Sequence, residues 1–179
     1  MARGLCCRHN VRCAGGGEPG EAILETLFRV ATRDSPLDCR VAPRAAAPVV
    51  GTFARGVLVT AARRAGDWLY VTDKRLTGWS AGAFLTEAVP IAAEALVRAG
   101  MIHSSDFWIN RHREVPQLDW LLVSLSELSF GGGIPVDTVE AAIGILHRAG
   151  AIDAPAYWRE HYMDLEPVGQ LLKKAAGAL

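Results

Sequence analysis

Four residues among the first thirteen have side chains suited to a metal site: Cys6, Cys7, His9 and Cys13. Zinc needs four soft or borderline ligands converging on one point, so cysteines and a histidine at short spacing are the pattern to weigh. The spacing here is Cys6-Cys7-x-His9-x3-Cys13. It lacks the paired C-x2-C turn, and adjacent cysteines rarely ligate one ion together. Incidental thiols on a tail are the expected reading, with zinc and a disulfide as the alternatives, and no stoichiometric metal or cofactor is expected. Cys39 stands alone on a predicted strand, whereas a papain-like peptidase needs its cysteine at a helix N-terminus beside a held histidine. His103, His112, His147 and His161 fall on predicted helices or their ends without H-E-x-x-H spacing. The carboxylates of the second half, Asp106, Asp119, Glu140 and Asp164 among them, are scattered singly over polar faces. Glycoside cleavage would need two of them facing one cleft. The run Gly131-Gly132-Gly133 lacks the preceding strand and the following Lys-Ser/Thr of a phosphate loop, and reads as a linker. No active site is expected, and the chain reads as a non-enzyme.

Binding chemistry is better represented. In the run Asp67-Trp68-Leu69-Tyr70-Val71-Thr72, strand alternation puts Trp68 and Tyr70 on one face and Leu69 and Val71 on the other. Leucine and valine are the better core residues, so the aromatic pair is expected to be exposed. Trp79 opens the next segment, and the three rings can line one shallow groove that stacks on sugars or apolar peptide side chains. Nineteen basic residues balance nineteen acidic ones. That balance excludes the surplus of positive charge a dedicated nucleic-acid binder needs. No apolar run approaches the ~20 residues that span a bilayer, so no membrane insertion is expected. Residues 1–17 contain arginines but no continuous apolar stretch, so synthesis in the cytoplasm without a signal peptide is expected.

These candidates need elements to hold them, and the 179 residues, half of them hydrophobic, can bury a real core. Residues 1–23 read as a tail and glycine-rich linker. Residues 24–87 carry short β-branched or aromatic runs between turn residues, near positions 26–32, 49–53, 57–62, 67–72 and 76–80. Five such strands within so short a segment are expected to close into a small barrel, which removes exposed edges. From about Val89 the period becomes helical: Ala92, Ala95, Leu96 and Ala99 share a face, and Gly100 stands where a helix ends. The pattern then restarts fifty positions on. Arg98-Ala99-Gly100-Met101-Ile102 returns as Arg148-Ala149-Gly150-Ala151-Ile152, and Leu118, Leu121, Leu122 and Leu125 map onto Val168, Leu171, Leu172 and Ala175. Two copies in strict register predict a tandem helical repeat over 88–130 and 134–179. Asp137-x-x-Glu140 predicts a capping box at the start of the second copy. Trp108 and Trp158 are expected in equivalent core positions, Trp120 at the surface, and residues 88–179 are expected to fold without the barrel. The fold class is α+β and multi-domain, a small barrel followed by an all-α tandem repeat module.

Residues 37–85 resemble the bacterial SH3 domain. The likeness rests on Leu37-Asp38-Cys39-Arg40, Val50-Gly51-Thr52-Phe53, the Arg55-Gly56-Val57 turn, Gly66-Asp67-Trp68-Leu69-Tyr70-Val71 and Gly78-Trp79-Ser80-Ala81-Gly82-Ala83-Phe84-Leu85. Cys39 stands where the family has a buried valine, Ala42 replaces a loop glycine, and the polar turn from Asp73 to Leu76 is enlarged. The resemblance implies an SH3-like barrel, a peptidoglycan stem or cross-bridge peptide as ligand, and Arg40 as a candidate ligand residue beside Trp68, Tyr70 and Trp79. The helical part is similar, more loosely, to C-terminal tandem repeats of cell-wall hydrolases from Gram-positive bacteria and their phages. The function expected from these likenesses is non-catalytic binding or targeting to cell-wall peptidoglycan. The alternative is a structural or assembly protein, such as a phage virion component, whose barrel and repeats dock phage or cell-wall proteins. Action at the cell wall or in a virion follows from the two.

Overall fold

The computed structural model describes residues 20–113, 117–128 and 137–179. The candidate zinc ligands Cys6, Cys7, His9 and Cys13 and the glycine run at 131–133 lie outside these residues. Among the described residues a seven-stranded antiparallel sheet precedes six helices. The strands are β1 (Glu21–Val30), β2 (Leu37–Arg40), β3 (Val49–Phe53), β4 (Leu58–Ala65), β5 (Trp68–Thr72), β6 (Thr77–Ala81) and β7 (Leu85–Glu87). Their order across the sheet is β3-β2-β6-β5-β4-β1-β7.

Alternation explains how the sheet curls. Phe28, Val30, Leu37, Cys39, Phe53, Val59, Leu69, Val71 and Leu85 form one buried cluster drawn from β1, β2, β3, β4, β5 and β7. The two end strands, β3 through Phe53 and β7 through Leu85, therefore reach the same core, and the sheet wraps it as a barrel. The expected closure differs in one respect: β3 and β7 do not pair, so the backbone ladder stays open along that seam. Cys39 is wholly buried, and a Cβ added at Gly78 would fall 2.6 Å from its sulfur, so the glycine makes room for the thiol. Burial pushes the Cys39 thiol up, with the Asp73 charge adding to the effect, which leaves it inert as a nucleophile.

The helices are α1 (Ala88–Arg98), α2 (Ser105–Arg111), α3 (Leu118–Glu127), α4 (Val139–Arg148), α5 (Pro155–Tyr162) and α6 (Glu166–Ala178). The first and fourth end identically. Gly100 and Gly150 have φ of 68° and 73°, conformations a Cβ disfavours, and the next amides, of Met101 and Ala151, donate to Leu96 and Leu146 at 2.9 and 2.8 Å. Pro155 sits in the first turn of α5, where its missing N–H costs nothing. The capping expectation at α4 shifts by one residue. Thr138 is the N-cap, its hydroxyl accepting from the Ala141 amide at 3.2 Å, while Glu140 accepts instead from Arg159 at 2.7 Å. Trp108 and Trp158 are both buried in the helical cluster, and Trp120 is 38% exposed.

That cluster does not belong to the helices alone. Leu27, on the face of β1 opposite Phe28 and Val30, is a fully buried member of it, and Leu58 of β4 packs against it. Two residues on, Arg29 shares the outer face with Leu27. It pairs with Glu127 of α3 and donates to the Gly56 carbonyl at 3.0 Å. β1 is therefore covered on both faces, by the barrel interior on one and by helices on the other.

Candidate functional site

The loop between β1 and β2 and the segment between β6 and β7 face each other across a cleft of about 880 Å³. Backbone bonds hold its walls. The Ala31 amide donates to the Phe84 carbonyl at 2.9 Å, and the Gly82 amide to the Asp67 carbonyl at 2.7 Å. Thr32, Asp34, Asp38, Arg40, Trp68 and Phe84 line it. Trp68 begins β5 just after the tight turn at Gly66, whose φ is 56°. Phe84, 48% exposed, ends a single 3-10 turn whose successor Leu85 points into the core, so alternation turns Phe84 outward.

The cleft is electrically even. Arg33 and Arg40 oppose Asp34 and Asp38 among its lining residues. Arg40 is already engaged: it donates to the Ala47 carbonyl at 2.7 Å and to the Asp38 carboxylate at 2.6 Å, which braces the loop between β2 and β3. A neutral cleft with aromatic walls fits a polar peptide or sugar better than a polyanion. The Thr32 hydroxyl, buried and without a hydrogen-bond partner, is the one such side-chain oxygen among the described residues. Burying an unpaired hydroxyl costs about 1–3 kcal/mol. Thr32→Val is accordingly expected to leave thermal stability unchanged or slightly raised.

The four residues singled out from the sequence divide into two pairs. Trp68 and Arg40 line the cleft. Tyr70 and Trp79 lie directly opposite each other on β5 and β6, with ring centroids 5.3 Å apart and planes tilted by 60°. Tyr70 is half-buried, but Trp79 is only 8% exposed. Its outer edge is covered, since a Cβ placed on Gly20 would fall 2.6 Å from the Trp79 ring. The expected groove shared by all three rings is therefore corrected: the chain entering β1 lies across Trp79 and takes it out of solvent. Thr32, Asp34 and Phe84 went unnoticed in the sequence. Phe84 alone left a signal, in its alternation with Leu85.

In the helical half the one perturbed acid–base pair is His112 and Asp119 among the described residues. His112 is 8% exposed, and burial lowers its pKa. Asp119 pulls the other way most strongly, Arg113 adds to the lowering, and Glu87 opposes it. Burial raises the Asp119 carboxyl, against the Trp120 amide and His112, which lower it; Glu25 adds to the rise. No nucleophile joins the pair, and no group of three metal-ligating side chains occurs among the described residues. The shift has a consequence for stability. A histidine held neutral in the fold contributes stability above the unfolded value near 6.5, and loses it as pH falls through the lower folded value. The melting temperature is expected to drop between pH 7 and pH 5, and His112→Gln should flatten that drop. His147 holds a local role, its Nδ1 proton donated to the Ile152 carbonyl at 3.1 Å.

With this geometry the likeness to known proteins can be stated. The family model described as the bacterial SH3 domain matches residues 35–86, which run from the cleft loop into β7 and end before the helices. No curated protein and no solved structure matches the chain. No helix among the described residues is long and apolar enough to cross a membrane.

Proposed function

We propose that this protein is a non-catalytic binder of cell-wall peptidoglycan, and that the barrel cleft holds a peptide of the wall. One observation carries the reading. The segment similar to bacterial SH3 domains, often cell-wall binding modules, presents a cleft of balanced charge walled by Trp68 and Phe84. Trp68 supplies the stacking surface, and Arg40, fixed by Asp38 and the Ala47 carbonyl, shapes the rim. The deciding experiment is co-sedimentation of the full chain with purified Gram-positive cell walls. Partition into the wall pellet that Trp68→Ala reduces supports the proposal, and a full chain that stays in the supernatant refutes it.

We further read 88–130 and 134–179 as two copies of one three-helix unit, on the strength of the matching turns at Gly100 and Gly150 and the shared offset of fifty residues. The second functional reading is a structural or assembly protein, a phage virion component for instance, whose surfaces dock protein partners. It is favoured by an open, charged groove on the helices.

A further inference from the structure

The helical half carries two grooves built from the same parts in exchanged order. Ile102, His103 and Trp108 at the start of α2 line one of them, together with Gln170, Leu171 and Lys174 of α6. Ile152, Asp153 and Trp158 at the start of α5 line the other, together with Trp120, Leu121 and Ser124 of α3. Moving each of these six residues of the first groove by fifty positions, forward for the α2 set and backward for the α6 set, gives the six of the second. Two units related by an approximate twofold rotation produce this exchange, since each then lays its turn on the last helix of the other. An isologous contact of that kind makes every groove twice.

The two grooves differ in what lies over them. Lys74, from the barrel turn between β5 and β6, lines the α3 groove, and its ammonium stands over the Trp120 ring at 5.9 Å. Lys74 has φ of 76°, and the turn is braced by the Asp73 carboxylate, which accepts from the Arg75 and Leu76 amides at 2.9 and 2.8 Å. No residue of the sheet lines the α6 groove among the described residues, and it is the roomier, about 870 Å³ against 370 Å³. Their chemistry is inverted to match. The covered groove meets its lysine with Asp153 and Ser124; the open one has His103 and Lys174 at those positions, with Lys173 beside them. Glu166 is the one carboxylate lining it among the described residues. Gln170 leaves free the space that Trp120 fills in the other groove, and Phe107 lies 42% exposed at its side.

We propose that the open groove docks an acidic, partly apolar segment of a partner protein, in the manner in which the α3 groove receives the Lys74 turn. A carboxylate of that segment meets Lys173, Lys174 and His103, and an apolar side chain lies on Phe107 over the space beside Gln170. A phosphate polymer would satisfy the lysines but leave the apolar half uncovered, which favours protein as the occupant. This goes beyond wall binding and uses none of the cleft residues.

The test is fluorescence anisotropy with the full chain and a short labelled peptide of glutamate and leucine. Glutamine–leucine and glutamate–serine peptides are the controls. Saturable binding is expected for the first, with both controls weaker by about tenfold or more, a loss of roughly 1.4 kcal/mol. The double variant Lys173→Glu, Lys174→Glu should weaken binding by a similar factor with an unchanged melting temperature. Gln170→Trp, which fills the groove without changing its charge, should do the same. The proposal is overturned if the glutamate–leucine peptide does not bind, if glutamate–serine binds equally well, or if the charge-reversed variant binds undiminished.

Discussion

Leu27→Ala is expected to lower stability by about 2–5 kcal/mol, and to lower it for the sheet and the helices together. Leu27 is wholly buried, yet it points away from the barrel interior and lies in the same cluster as Ala88, Leu96, Leu121 and Leu122. Truncation to alanine removes the transfer free energy of the lost methyls and leaves a cavity that two packed elements cannot easily collapse. Denaturant unfolding followed by the helical dichroism and by tryptophan fluorescence should show both midpoints falling in parallel. A loss below about 1 kcal/mol, or a helical midpoint that stays in place, would show that the barrel and helices do not share this core. Arg29→Ala is the contrasting substitution. Its pairing with Glu127 lies at the surface, and exposed ion pairs contribute at most about 1 kcal/mol. The same geometry revises the expectation that residues 88–179 fold alone. That fragment keeps its leucine faces but loses Leu27 and Leu58, so it should be measurably less stable than the intact chain.

The helices were legible because their apolar residues fall at helical spacing, as Ala92 and Leu96 of α1 do. Arg-Ala-Gly recurs fifty positions apart in the sequence, and glycine at positions 100 and 150 has a physical reason in its positive φ. The strands were legible where alternation ran long enough, as in Trp68-Leu69-Tyr70-Val71. β7, at three residues, is too short to show a period at all. β1 begins earlier than its hydrophobic pattern, because Glu21 and Ala22 face solvent while still pairing with Arg64 and Arg63. Leu27 was hidden for a different reason. In Thr26-Leu27-Phe28-Arg29-Val30 two neighbouring apolar residues break strict alternation, and only a strand covered on both faces wants both of them.

The candidate site was half legible. Alternation separated Trp68 and Tyr70 from the core residues between them, which the burial of Leu69 and Val71 reflects. It could not show that the chain at Gly20 returns across Trp79, since that contact joins residues far apart in sequence. Nor could it show the cleft. Thr32 and Asp34 lie in a turn-rich stretch whose composition reads simply as a loop, and only the folded chain sets it against Trp68 and Phe84.

Trp68→Ala and Trp79→Ala should therefore fail in different ways. Trp68 walls an open cleft, so its loss removes stacking area worth about 1–3 kcal/mol at a contact hot spot. Wall binding should weaken by roughly one to two orders of magnitude while the fold holds, since each 1.4 kcal/mol is a factor of ten. Trp79 is 8% exposed, packed on Tyr70 at 5.3 Å and covered at Gly20. Its truncation should cost about 3–5 kcal/mol of stability, the usual range for a buried aromatic, and would remove binding only by unfolding the barrel. Melting temperature and wall co-sedimentation, measured on both variants, separate the two effects. Phe84→Ala is the companion at the opposite wall and should resemble Trp68→Ala. A stable Trp68→Ala protein that sediments with walls as fully as the parent would remove the cleft from the binding surface. A stable Trp79→Ala protein that no longer sediments would put the ligand on the Tyr70 side of the sheet, where the Gly20 segment would have to move aside to admit it.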